Sequence, residues 1–213
     1  MNRYEKGGQK LKKNKGFTLV EMIVVVSIFA ILLGILIPSL NSILGFRVQR
    51  ATNSIAAALD QTKIEASGRL VGAMKLEKRS DGYYISYILD RGKIDGKDNI
   101  KVNQNEEKIA PDKTSIIYYT NNSGEGNPIP ESGIVLTYDR ASGAFLPLMC
   151  TDNWEDFDVL KEVQNKNSYL QSMQLDGKTS YCSKIVVKGG SRTRTITLIQ
   201  ETGKYVITTG ETP

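Results

Sequence analysis

From Phe17 the chain turns apolar and stays so for more than six helical turns. Met22–Ile37 are sixteen residues without a charge, and Ser27 is their one plainly polar side chain. Extended to Phe17 and Leu40, the stretch covers 24 residues, about 36 Å of helix at ~1.5 Å per residue. That length crosses a ~30 Å hydrocarbon core. Beyond Pro38 the pattern becomes amphipathic. Leu44, Val48, Ala51, Ile55 and Leu59 recur at spacings of four, three, four and four, one face of a helix. Arg47, Gln49, Arg50, Asn53, Asp60 and Gln61 fill the remainder, and Gly68 and Gly72 are good terminators. Arg47 and Arg50 could contact lipid head groups or a neighbouring subunit, though such residues are more often a solvated face. The pattern predicts one helix from about Phe17 to Ser67.

From Val71 the period shortens to two. "AMKLEKR" and "YYISYILD" flank "SDG", a hairpin signal. "TSIIYYT" reads as a short strand. "GIVLTYD" and "AFLPLM" flank "RASG" and predict a second hairpin. "SKIVVKGGSRTRTITLIQETGKYVITT" reads as three strands with turns at Gly189-Gly190 and Thr202-Gly203. Residues 121–133 form a Gly/Pro/Asn loop, and residues 151–174 begin acidic and suit a short helix. The expected fold class is α+β: a long N-terminal helix packed on a mainly antiparallel β-sheet head. The expected division is a basic leader over 1–16, the helix over 17–70 with its membrane part ending near residue 40, and the head over 71–213.

Charge sharpens the division. Residues 1–16 hold six basic side chains against Glu5, leaving 22 basic and 22 acidic residues for the rest. The basic character therefore belongs to the leader, and lysines before an apolar span favour a cytoplasmic N-terminus with the head outside. No histidine is present, which removes the commonest general base and metal ligand. Cys150 and Cys182 both lie downstream of the apolar stretch. In an exported head an even cysteine count suggests a disulfide. In a cytosolic protein they are two buried thiols. A bridge would close a loop of about 33 residues and contribute ~3–4 kcal/mol on the chain-entropy estimate.

Glu21 sits inside the apolar stretch. A secretory signal peptide would have a shorter apolar core followed by a small-x-small cut site, and the run is followed by more helix instead. A plain anchor leaves Glu21 unexplained, and a buried core helix leaves the lysine leader unexplained. A carboxylate in hydrocarbon needs a partner or a function. A cut between Gly16 and Phe17 would create an α-amino group one helical turn from Glu21. The amine of one copy could then pair with Glu21 of a neighbour.

Gly16-Phe17-Thr18-Leu19-Val20-Glu21, after a short basic leader and before an apolar helix, resembles the prepilin motif of type IV pilins and pseudopilins. The resemblance implies a pilin-like fold, cleavage after Gly16 by a membrane prepilin peptidase, methylation of the new N-terminus at Phe17, and pairing of Glu21 with an adjacent subunit during assembly. It implies other pilin subunits and the pilus assembly platform as partners. It also implies residence in membrane lipid before assembly and in a surface pilus or envelope pseudopilus after it. Pro38 removes a backbone hydrogen bond and collides with the carbonyl of Gly34, so a kink or softened turn is expected between Gly34 and Pro38. "RATNSIAAALDQTKIEA", the first hairpin and the terminal "SRTRTITLIQETGKYVI" resemble the minor pseudopilins that include H-type secretion and fimbrial T-type subunits. Secretion and competence pseudopilins stay open within the family. An uncleaved, membrane-anchored binding module is the reading of another class.

Other constellations carry less. Asp152, Glu155, Asp156 and Asp158 could hold calcium, but they lack the EF-hand spacing and glycine. A solvated helix start accounts for them, and no metal or cofactor is expected. Trp154, Tyr83, Tyr84 and Tyr87 read as packing residues. Lys188, Arg192 and Arg194 could meet an anionic surface or DNA, yet three cations on a formally neutral head are a weak nucleic-acid signal. No phosphate loop, nucleotide fingerprint or HExxH occurs, and without histidine no ordinary triad forms. The expectation is a structural protein, not an enzyme.

Overall fold

The computed structural model describes residues 16–69, 71–94, 97–148, 174–175 and 178–210. The chain divides into two units, residues 1–40 and 41–213. Helix α1 runs Leu19–Gly68 as one element, through Gly34 and Pro38.

In the first unit the helix is apolar all round, and nothing within the unit covers it. The 18 residues Leu19–Leu36 have a mean hydropathy of 2.9 and none of them is buried, a helix long and apolar enough to cross a membrane. Its one hydroxyl is accounted for locally: Ser27 Oγ donates to the Ile23 carbonyl at 2.7 Å, the back-bond that lets serine sit in an apolar helix.

In the second unit the helix buries the face that its spacing predicts. Val48, Ala51, Ile55 and Leu59 are essentially inaccessible, and Leu44 is half-buried. Thr52 and Thr62 join that face because their hydroxyls bond back to the carbonyls of Val48 and Ala58, so neither hydroxyl is left bare in the core.

The strands are β1 (Val71–Arg79), β2 (Gly82–Ile94), β3 (Lys97–Pro111), β4 (Ser115–Thr120), β5 (Asn127–Pro128), β6 (Ile134–Thr137), β7 (Gln174–Leu175), β8 (Lys178–Thr179), β9 (Cys182–Gly189), β10 (Arg192–Ile199) and β11 (Lys204–Thr209). They form sheets ordered β3-β2-β1-β6 and β11-β10-β9-β4-β5, with β7-β8 a two-strand pair. All pairings are antiparallel. One hydrophobic cluster joins the helix face to Met74, Leu76 and Ile85 of the first sheet and to Ile116, Ile185 and Ile196 of the second. The architecture is α+β and pilin-like, with a long N-terminal helix packed on antiparallel sheets.

The last two hairpins lie along the helix. The Gly189-Gly190 turn approaches Leu44 and Val48. At the other end, Lys63 Nζ donates to the carbonyls of Thr202 at 2.9 Å and Gly203 at 3.2 Å. Nineteen helical steps separate Leu44 from Lys63, about 29 Å, and an eight-residue strand spans about 27 Å. Helix and hairpin therefore match in length. The clasp is completed by Tyr205, whose hydroxyl donates to Asp60 Oδ2 at 2.8 Å. Burial, and then that carboxylate, pushes the Tyr205 phenol up to about 12. Gly203 allows the turn: its φ is +58°, and a Cβ there would sit 1.9 Å from the Gly143 carbonyl oxygen.

Two segments differ from expectation. "AFLPLM" closes the second hairpin only at its tip: Asp139 N donates to Ala144 O and Leu146 N to Thr137 O on either side of one antiparallel bridge, Tyr138 with Phe145. The other amides go elsewhere, Phe145 N to Gln200 O and Leu148 N to Ser180 O. Pro147 has no donor to continue a ladder. β3, in turn, is a 15-residue strand in a stretch whose run of amides and acids, Asn103–Glu107, gave no strand signal. Trp154, the acidic run 152–158 and Cys150 lie outside the described residues.

Candidate functional site

The residues around the expected cleavage point are placed by local chemistry. Gly16, Phe17 and Thr18 are outside any regular element, and the helix begins at Leu19. Its start is a capping box. Glu21 N donates to Thr18 Oγ1 at 3.2 Å, and the Thr18 backbone N–H donates to Glu21 Oε2 at 2.8 Å. The Thr18 hydroxyl donates to the same Oε2 at 2.9 Å. Met22 N then bonds the Thr18 carbonyl at 3.2 Å, the first turn of the ladder. Threonine at the N-cap with glutamate three residues on satisfies orphan donors reciprocally.

Glu21 thus has a structural use within its own chain. Thr18-x-x-Glu21 was legible in the sequence, though the charge argument alone had singled out Glu21. Both cap bonds land on Oε2, while Oε1 has no partner among the described residues.

The Gly16–Phe17 peptide lies just before the cap, in backbone that is not committed to the helix. Phe17 is 79% exposed, and no heavy atom lies within 4 Å of where a Gly16 Cβ would stand. Non-helical, uncrowded backbone is what a peptidase can bind, and helix is not. Gly34 is similarly open.

Cys182 is buried, with its Sγ 3.8 Å from the Lys184 carbonyl. Burial pushes its thiol up to about 12, so it stays protonated and a poor nucleophile at neutral pH. Among the described residues no cluster of three or more Cys, Asp or Glu could hold a metal.

A groove of about 630 Å³ opens between the helix and the β2–β3 pair, lined by Phe46, Arg50, Ala57, Ile85, Tyr87 and Glu107. A smaller one of about 280 Å³ separates Gly45–Gln49 from Arg192–Arg194 and Thr209.

The family described as the prokaryotic N-terminal methylation motif matches residues 11–37. No curated protein matches the chain, and no solved structure does. The match spans the end of the leader, the cap and the apolar helix, and stops before the head. That motif is diagnostic of type IV prepilins and pseudopilins, and it is a structural signature, not a catalytic one. It supports a type IV pilin or pseudopilin subunit and implies processing by a prepilin peptidase and assembly with other pilin subunits.

Proposed function

We propose that the chain is a minor subunit of a type IV pilus or of a related secretion or competence pseudopilus. It is cleaved after Gly16, methylated on Phe17 and assembled through α1. The observation that carries this reading is the juxtaposition at the N-terminus. A bare, non-helical Gly16–Phe17 peptide abuts a capped helix whose apolar 18-residue span has no cover among the described residues. Such a helix needs lipid or other helices around it. The minor-subunit reading draws on the helix end, the first hairpin and the terminal hairpin.

Assembly follows from the same residues. Before cleavage the basic leader stays in the cytoplasm and the head faces outward. The peptidase frees an amine at Phe17. Glu21 Oε2 is held by Thr18, which fixes the carboxylate at the helix start, and Oε1 accepts from the neighbouring subunit's amine. The helices bundle as a filament core, the heads form its wall, and the assembly platform adds subunits. Gly34 and Pro38 give the bundled helix a place to bend or unwind. Cys182 is a buried free thiol in this structure, and oxidation with Cys150 in an exported head would staple the segment between them.

Intact mass and N-terminal sequencing of the protein from its host test the reading. The expected product begins with N-methyl-Phe17 and is two hydrogens light if the cysteines are bridged. Mature protein that keeps Met1 and the lysine leader sinks the proposal. A pair of variants then separates the two uses of Glu21. Glu21→Gln retains the capping box, since glutamine also serves at that position, but carries no charge. Both Glu21→Gln and Glu21→Ala are expected to insert in the membrane and to incorporate poorly into filaments. Normal filament yield from Glu21→Gln assigns Glu21 to the cap alone.

A further inference from the structure

The fold brings together two arginine pairs that lie some 140 residues apart in sequence. Arg192 packs beside the helix: a Cβ built on Gly45 would lie 3.4 Å from Arg192 Cγ and 3.8 Å from its Nε. Arg194 lines the same small groove, with Gly45, Phe46 and Gln49. Arg47 and Arg50 are exposed on the helix itself, and Arg50 lines the other groove. At 100° per residue, Arg47 and Arg50 fall on the flank opposite Gly45. The four arginines therefore lie around the helix within about two turns of its axis.

None of the four makes a side-chain hydrogen bond or ion pair among the described residues. At the β1–β2 turn, by contrast, Lys75, Lys78, Arg79 and Lys108 each contact a carboxylate. No Asp or Glu occurs in residues 41–59 or 178–200. The one acid sharing a groove with the ring is Glu107, opposite Arg50. Two apolar side chains stand exposed at the same level, Ile43 at 47% and Phe46 at 71%.

We propose that this ring of Arg47, Arg50, Arg192 and Arg194, with Ile43 and Phe46 beside it, seats the head on the phosphate headgroups of an anionic membrane before assembly. All four are arginine, whose planar fork matches phosphate oxygens. Exposed aromatic and aliphatic residues among basic ones are the composition of a membrane interface. Ile43 lies only seven residues beyond Leu36, the last residue of the 18-residue apolar span. Seven residues reach about 10 Å as helix and at most ~25 Å extended. A ring also suits a plane better than a rod: a flat anionic surface reaches charges on both flanks of the helix, and a nucleic-acid duplex reaches one. The proposal rests on the membrane-anchored part of the reading above, and not on cleavage or filament formation.

The test uses the full, uncleaved chain in lipid nanodiscs of phosphatidylcholine alone or with about a third phosphatidylglycerol. Hydrogen–deuterium exchange is followed at residues 43–50 and 189–194. Exchange there is expected to slow several-fold with the anionic lipid, given about fivefold in occupancy per basic residue near such a surface, and to recover in 0.5 M salt. Arg192→Gln with Arg194→Gln should lose most of that protection, and Lys113→Gln with Arg140→Gln, an equal loss of two charges elsewhere on the head, should keep it. Core amides at Ile185 and Ile196 report folding, and Arg47→Gln with Arg50→Gln replaces the first variant if it has not folded. Equal exchange in the two lipids overturns the proposal, as does an effect of Lys113→Gln with Arg140→Gln equal to that of the arginine pair. Stronger protection by duplex DNA added to neutral nanodiscs assigns the ring to nucleic acid and overturns it. Protection that tracks protein density instead of lipid charge assigns it to a second copy, with the same consequence. Because the leader is retained, failure here leaves the Phe17 and Glu21 assignments standing, and failure of those leaves this result standing.

Discussion

Glu77 is the one carboxylate in the described core, 5% exposed on β1. Its neighbours two residues away on either side share its face of the strand. Lys75 Nζ lies 2.5 Å from Glu77 Oε2, and Arg79 contacts Oε1. Arg79 also holds Glu106 through two parallel bonds, Nη1 to Oε1 at 2.9 Å and Nη2 to Oε2 at 2.6 Å. Glu77→Gln keeps the shape and removes the charge. Breaking a buried pair from one side costs about 3–5 kcal/mol. The lower end applies, because Arg79 keeps Glu106 and its side chain is 40% exposed. Lys75 is the group stranded, at 13% side-chain exposure. A loss of about 3 kcal/mol corresponds to roughly 6–12 °C in Tm for a chain of this size. The assay is thermal and urea unfolding of the full chain in detergent, followed by the β signal in circular dichroism. Lys75→Met added to Glu77→Gln removes the stranded cation and should restore at least half the loss. A single-variant cost below about 1 kcal/mol, or a double variant no more stable than the single, refutes the assignment of Glu77 as a buried charge anchor.

Other outcomes follow from the clasp and the cap. The Tyr205 phenol titrates near 12 when folded against an ordinary 10, so its contribution is whole below pH 10 and is lost as pH rises through about 12. Tyr205→Phe should flatten the fall in stability over that window, and a pH profile unchanged by the substitution counts against the Asp60 contact. Gly203→Ala places a Cβ 1.9 Å from the Gly143 carbonyl at φ +58°, and should lower Tm by several degrees through strain alone. A wild-type melting curve would show that the turn can move. Thr18→Ala removes the cap at a cost of about 1 kcal/mol of helix-start stability. It should speed amide exchange at Leu19–Met22 by about fivefold while the head's exchange stays fixed.

Much of the fold was legible because long stretches of the chain obey one period at a time. The helix face from Leu44 to Leu59 and the strands around Gly189-Gly190 and Thr202-Gly203 each repeat cleanly. β3 was not legible, because only one end, Ile109 and Ala110, is buried among residues whose burial is described. Its register with β2 also slips at several bulges. An edge strand that contributes backbone and little core leaves no alternation to read. At Phe145–Leu148 the expected hairpin stops after one bridge. Apolar content there reflects burial of Phe145 and Leu148, whose amides go to Gln200 and Ser180 and not to β6. Composition reports burial, and only pairing makes a strand. The arginine ring was invisible for a topological reason. Arg47 and Arg50 read as a helix face open to lipid head groups, a neighbouring subunit or solvent, Arg192 and Arg194 as a basic turn that could meet an anionic surface or DNA, and the β9–β10 turn alone makes them neighbours.

On the assembly role proposed above, Glu21 would have two demands to satisfy with one side chain, the cap and the pair. A cap glutamate answers to its own backbone, and a pairing glutamate answers to a neighbour's amine. If both needed the same oxygen, assembly would have to undo the helix start at each addition. The geometry removes that conflict, since Thr18 N–H and Oγ1 both bond Oε2 and leave Oε1 open. Capping also fixes the glutamate's rotamer, so the open oxygen is presented and not searched for, which lowers the ordering cost of the pair. The two demands therefore reinforce each other. Thr18→Ala should weaken incorporation modestly where Glu21→Gln weakens it severely, and adding Thr18→Ala to Glu21→Gln should bring little further loss. A double variant much worse than Glu21→Gln alone would mean that Thr18 acts on assembly by a route other than holding Glu21.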